Sequence, residues 1–165
     1  MTRHFTVAPW PWWLEAMSLV FSLILIAIAV LVVKLSPLPI GNVVAFLVIA
    51  ILLLSALFVV RSYDLDGDRL LVRRLLWLTI IDIRGLTDVW RDPNALRGSV
   101  RVFGNGGLFA LNGLFWSRSL GYYRVFATDP KKSVVMALPK RKIVITPADP
   151  ETFVRAALAF MLRRK

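Results

Sequence analysis

Two stretches, LEAMSLVFSLILIAIAVLVV (Leu14–Val33) and IGNVVAFLVIAILLLSALFVV (Ile40–Val60), decide how this chain is arranged. No charged residue lies between Glu15 and Lys34, and none between Lys34 and Arg61. About 20 apolar residues, each rising about 1.5 Å, carry an α-helix across the hydrocarbon core of a bilayer. Both stretches reach that length. In a chain of 165 residues there is no interior large enough to hide two such helices. The pattern therefore predicts a two-span membrane hairpin.

The link Lys34–Asn42 contains two prolines and a glycine, residues that read as a tight turn. A link this short makes the helices antiparallel and leaves both chain ends on one side. Lysine and arginine decide which side. The link holds only Lys34, whereas Arg3 flanks the first stretch and Arg61, Arg69, Arg73 and Arg74 follow the second. The positive-inside rule counts these and largely ignores Asp64, Asp66 and Asp68. The expectation is a multi-pass protein of the cytoplasmic (inner) membrane, with both termini in the cytoplasm. Ala27-Ile28-Ala29 has the form of a signal-peptide cleavage site, but it sits in mid-run, so the first stretch reads as a retained span. Ser18, Ser22, Ala45 and Ala50 permit close helix packing, without a GxxxG motif. Residues 1–13 read as an interfacial flank, in which Trp10, Trp12 and Trp13 form a belt at headgroup level.

Hydrophobic residues make up 58% of the chain, above the ~45–50% typical of soluble proteins, and the excess precedes Arg61. There is no cysteine, which excludes disulfides, thiolate catalysis and cysteine metal sites. The net charge is +11, and residues 61–165 hold 19 Lys/Arg against 9 Asp/Glu. That balance fits cytoplasmic residence beside a span, an anionic membrane surface or nucleic acid.

After Arg61 the period changes. Ser62–Asp66 and Arg69–Arg74 flank the turn Asp66-Gly67-Asp68 as a hairpin, and Leu76–Ile83 and Thr87–Arg91 follow as strands. Val100–Phe103 precedes a glycine-rich stretch, Gly104–Gly121. Tyr122–Ala127, Ser133–Leu138 and Ile143–Thr146 complete the set. Short strands with turns every ~8–12 residues predict a small antiparallel barrel or sandwich. The final element is a helix over 150–162. Asp149 is placed to cap it, Pro150 fits its first position, and Glu151 favours the positive end of its dipole. Phe153, Ala156, Ala157, Phe160 and Met161 share one face, while Arg163, Arg164 and Lys165 fall in the last turn. The fold class is α+β: a transmembrane hairpin (14–60), then a compact β domain (61–165) capped by a helix.

A chain of small motifs narrows this further. Val102-Phe103-Gly104-Asn105-Gly106-Gly107-Leu108-Phe109, Gly113-Leu114-Phe115, Gly121-Tyr122-Tyr123, Ala127-Thr128 and Ile143-Val144-Ile145-Thr146-Pro147, with Phe153 downstream, stand in order. Over about 63–162 the sequence resembles the bacterial PH (pleckstrin-homology-like) domain family. The resemblance implies seven short antiparallel strands with a C-terminal capping helix, and members often follow a pair of transmembrane helices. It implies no ligand and no activity.

Candidate sites are few. The glycine-rich stretch has neither GxxxxGK[ST] nor a complete GxGxxG, and no helix follows it to hold a phosphate. Its repeated Asn-Gly-(Gly)-Leu-Phe, at Asn105 and Asn112, reads as two tight turns. Arg118, Lys131, Lys132, Lys140, Arg141 and Lys142 fall at predicted loop tips and are the candidate lipid-surface residues. Each such charge contributes about 1 kcal/mol beside an anionic leaflet; the alternative is an ordinary solvated basic face. Phe115, Trp116, Tyr122 and Tyr123 near Arg118 and Arg124 have the composition of a nucleic-acid surface, but alternating aromatics in strands are usually core. The one histidine, His4, lies in the N-terminal flank, and most acids sit in turns, so no catalytic constellation or metal site is expected. Spans with no internal polar group beyond serine argue against a transport path.

The reading is thus a non-enzymatic membrane-anchored protein, with no cofactor and no nucleic-acid partner. It binds anionic inner-leaflet lipids, a membrane protein partner or a second copy of itself. The alternative is an assembly subunit whose barrel serves only for protein docking.

Overall fold

A computed structural model describes residues 2–36, 39–106 and 111–162. Helices α1 (Trp12–Leu35) and α2 (Ile40–Leu57) have mean hydropathies of 3.0 and 2.7, and only 11% of either span is buried against protein. A core helix would be largely covered. These present their apolar sides outward, as a membrane association requires. They pack closely where Gly41 meets α1: a Cβ there would lie 2.8 Å from the Val33 Cα, so only a glycine permits this approach. Lys34 sits in the last turn of α1, where a cation is favoured. Pro37 and Leu38, in the expected turn, lie outside the described residues, as do Gly107–Ala110 and Arg163–Lys165.

The first sheet has the order β1-β2-β3-β4, all antiparallel: β1 (Arg3–Thr6), β2 (Val60–Asp66), β3 (Arg69–Arg74) and β4 (Leu78–Asp82). The segment read as a flank thus also supplies a strand, with Arg3 opposite Leu65 and Thr6 opposite Ser62. The turn at Asp66-Gly67-Asp68 forms as expected, with Gly67 at φ 52°.

The second sheet has six strands, β5 (Asp88–Arg91), β6 (Val100–Gly106), β7 (Leu111–Ser117), β8 (Gly121–Ala127), β9 (Val134–Leu138) and β10 (Arg141–Ile145), in the order β5-β9-β10-β8-β7-β6. Of the barrel or sandwich expected, the domain is the sandwich: the sheets keep free edges, because the seam between them is filled by side chains, not by a ladder, among the described residues. One expectation is corrected here. The domain is not wholly antiparallel: the β9–β10 hairpin returns so that β10 pairs in parallel with β8, Val144 beside Val125.

The glycine-rich stretch is also corrected. Asn112-Gly113 is not a turn but lies within β7, and Asn105 lies in β6 directly opposite Asn112. Gly104 and Gly113 are cross-strand partners with φ of 113° and 141°. A Cβ on either would fall 2.1–2.3 Å from the facing carbonyl oxygen, of Phe103 or Asn112. The glycines serve backbone approach and positive φ within a ladder, and so read locally as turn formers.

One core lies between the sheets, joining Tyr63, Leu70 and Val72 to Phe126, Met136 and Ile143. Helix α3 (Pro150–Leu162) closes it with Phe153, Ala156 and Ala157, and the Phe153 ring meets Phe5 of β1 edge-on at 4.9 Å. Asp149 caps α3 as expected, accepting from the amides of Glu151 (3.1 Å) and Thr152 (3.0 Å). A second core on the outer face of the larger sheet packs Phe115, Tyr123, Val125 and Val144 under Ala95 and Leu96. Both faces of that sheet's centre are therefore buried, which explains the continuous apolar runs of β8–β10.

Candidate functional site

The hairpin is tied to one end of the larger sheet. On the way in, the Ala8 amide donates to the Thr146 carbonyl (2.9 Å), and the Thr128 hydroxyl donates to the Ala8 carbonyl (2.7 Å). On the way out, the Asn112 amide donates to the Phe58 carbonyl (2.7 Å). Thr128, Thr146 and Asn112 lie where β8 and β10 end and β7 begins. Trp12 and Trp13 occupy the first turn of α1, Trp12 79% exposed, and Trp10 lies half-buried just before it. The β3–β4 turn adds Leu75, Leu76, Trp77 and Leu78, all exposed, with Leu76 at 72%. The Trp77 ring meets Phe58, the residue that ends α2, edge-on at 5.0 Å.

The six candidate lipid-surface residues fall into two groups. Arg118 is in the β7–β8 turn, Lys140 in the β9–β10 turn, and Arg141 and Lys142 open β10. Register places all four at one end, since Ser117 faces Gly121, Arg141 faces Leu138, and Lys142 lies beside Tyr123. Lys131 and Lys132 form a 3-10 turn (Pro130–Lys132) between β8 and β9, at the other end, where the hairpin attaches. A strand of seven residues separates the groups by about 20 Å. Lys131 is exposed; the Lys132 ammonium donates to the Ala148 carbonyl at 2.9 Å.

His4 proves structural. Its Nδ1 lies 2.5 Å from Asp64 Oδ1, and Arg73 Nε donates to Asp64 Oδ2 at 2.6 Å, joining β1, β2 and β3. The Asp64 side chain is only 3% exposed. Burial works against its charge, but the bonds from Arg73 and His4 outweigh that and hold the carboxyl below its ordinary range.

A cavity of about 630 Å³ lies between the end of α2, the β3–β4 turn and the inner face of β6–β8, and sequence reading had not located it. Arg74 occupies it. Its guanidinium carbon stands 5.2 Å from the Phe58 ring centroid, 5.4 Å from Phe126 and 5.6 Å from Trp77. Aromatic faces attract the cation, but its N–H groups lie in plane and need acceptors. Arg74 Nε and Nη1 are buried without one, and so is Asn112 Oδ1. Burial pulls the Arg74 guanidinium below its usual range, and Arg124 adds to the effect. Arg101 and Arg124 share the lining, which contains no carboxylate. The only local sequence signal was Arg74 three residues before Trp77; Phe58 and Phe126 come from distant segments.

Among the described residues, no group of three or more His, Cys, Asp or Glu is placed to hold a metal ion. Comparison with known families matches residues 61–159 to the bacterial PH domain. The chain belongs to that family. No curated protein and no solved structure matches it. Domains of this family are typically non-catalytic. In this chain the domain is carried on two apolar helices.

Proposed function

We propose that this protein is a non-enzymatic binding module of the cytoplasmic membrane, crossing it twice, with its termini and PH domain in the cytoplasm. The hairpin-facing end of the domain rests on the inner leaflet. The observation that carries this reading is the exposed run Leu75–Leu78, in the β3–β4 turn and the start of β4, whose Trp77 packs on Phe58, the residue just past the end of α2. Exposed apolar side chains beside a span belong at the lipid boundary, where Trp10, Trp12 and Trp13 also fit. Lys131 adds a charge at the same end for anionic headgroups. Arg118, Lys140, Arg141 and Lys142, a strand's length from the hairpin, favour a second contact with an acidic protein partner in place of the bilayer.

The absence of cysteine makes the test direct. Full-length Leu76→Cys and Arg118→Cys, each carrying an environment-sensitive fluorophore, are placed in phosphatidylglycerol/phosphatidylcholine vesicles. The expected result is blue-shifted emission, quenched by doxyl lipids, at position 76 and aqueous emission at 118. Aqueous emission at both positions would sink the proposal.

A further inference from the structure

We propose that the cavity at the hairpin exit binds the phosphate of an anionic membrane phospholipid whose headgroup also carries a hydroxyl. Arg74 is the buried donor, with Arg101 and Arg124 beside it. The inference rests on the reading that this end of the domain lies at the leaflet.

Three observations converge on it. The first is the state of Arg74. Two of its guanidinium nitrogens are buried with no hydrogen-bond partner. A permanent charge taken out of water is tolerated when its N–H groups are met, and an oxyanion meets them best. The rings of Phe58, Trp77 and Phe126 hold the cation in place without accepting from those N–H groups. The lining has three arginines and no acid, so nothing in the cavity's own wall neutralises them.

The second is Asn112. Its Nδ2 is committed to the Phe58 carbonyl, which fixes the orientation of the amide and leaves Oδ1 as a buried acceptor without a donor. A cavity that offers N–H donors and one carbonyl acceptor matches a phosphodiester with a neighbouring hydroxyl. A choline headgroup, which has no donor, leaves Oδ1 unmet.

The third is the shape of the site. About 630 Å³ is far more room than a lone phosphate fills, and the wall continues onto Leu54 and Ser55 of α2. Leu54 is exposed along the span, and Phe103, on the cavity's β6 side, is 79% exposed. An acyl chain finds an apolar path from the headgroup onto the helix, and a soluble anion has no use for one.

The test uses the full chain, delipidated in mild detergent and titrated with dioleoyl-phosphatidylglycerol while bound lipid is counted by native mass spectrometry. The wild type is expected to retain one phosphatidylglycerol. Arg74→Gln is expected to weaken it about tenfold or more, since a charge-assisted hydrogen bond is removed. Dioleoyl-phosphatidylcholine is expected to bind about tenfold more weakly than phosphatidylglycerol to the wild type. Arg155→Gln, on the exposed side of α3 and outside the cavity's lining, should leave binding unchanged. Equal retention by wild type and Arg74→Gln overturns the proposal. Displacement by millimolar inorganic phosphate overturns the lipid assignment in favour of a soluble anion. If Arg74→Gln loses its β-sheet circular dichroism, the double variant Arg101→Gln/Arg124→Gln decides. Both side chains are exposed, and unchanged affinity there overturns the proposal as well. These readouts are taken in detergent and do not depend on how the domain sits on a vesicle, so either proposal can fail alone.

Discussion

The side-chain amide of Asn112 donates to the main-chain carbonyl of Phe58 at 2.7 Å, joining β7 to the residue on which α2 ends. The last carbonyls of any helix lack intrahelical partners. Here a strand of the PH domain supplies one, so hairpin and domain share a hydrogen bond. Asn112→Ala is expected to cost about 1–2 kcal/mol, because a buried bond is lost and the Phe58 carbonyl is left short of a donor. Thermal unfolding of the full chain in detergent checks this. An unchanged midpoint would mean that the two parts are not coupled there.

Gly104 and Gly113 face each other across β6 and β7 so closely that no side chain fits on either. Gly104→Ala and Gly113→Ala each combine a forbidden φ with a backbone clash and are expected to cost more than about 3 kcal/mol. Gly67, also at positive φ but with open space around it, gives the control. Gly67→Ala should cost only about 1 kcal/mol. If all three variants melt together, the close approach is not what these glycines secure.

The same pair shows where local sequence stops being informative. Asn-Gly is the strongest turn signal in a short window, and at Asn112-Gly113 it was read as such. The contact that needs Gly113 lies on another strand and is invisible at that range. β1 was illegible for a related reason: Arg3–Thr6 has one apolar residue, and its partner strand begins at Val60, beyond both spans. The spans themselves were legible because length and lack of charge are local properties. So was α3, because Asp149 and the Phe153 face sit within one short segment. The Arg74 cavity needed three rings from three segments to meet, and nothing in the sequence order brings them together.

Asp64 holds β1 to β2 and β3 through His4 and Arg73. Its folded-state pKa is lowered, so as pH falls the unfolded chain takes up this proton first. The contribution is whole above the unfolded carboxylate's pKa of about 4 and is lost as pH falls through the lower folded value. Asp64→Asn is expected to cost about 1 kcal/mol at neutral pH, its partners being more than half exposed. It should also flatten the acid limb of a stability–pH profile. A variant whose profile keeps the wild-type slope below pH ~4 would place that limb elsewhere.

Tyr63 joins the two sheets through one buried hydroxyl. It donates to the Phe126 carbonyl at 2.6 Å and accepts from the Thr146 amide at 3.2 Å, with the side chain wholly enclosed. Tyr63→Phe keeps the ring and removes both bonds, leaving the buried Thr146 N–H without this acceptor. The expected loss is about 1–3 kcal/mol at neutral pH. Burial also pushes the Tyr63 hydroxyl up to about 12. Because the folded value is raised, the unfolded chain gives up its proton first as pH climbs. The contribution is whole below the unfolded pKa of about 10 and falls away toward about 12. Chemical denaturation of wild type and Tyr63→Phe across that window separates the two effects. The wild type should lose stability more steeply, and the gap between the proteins should narrow. Parallel curves would mean that the hydroxyl is not held neutral by its surroundings, and that the bridge between the sheets is weaker than its geometry indicates.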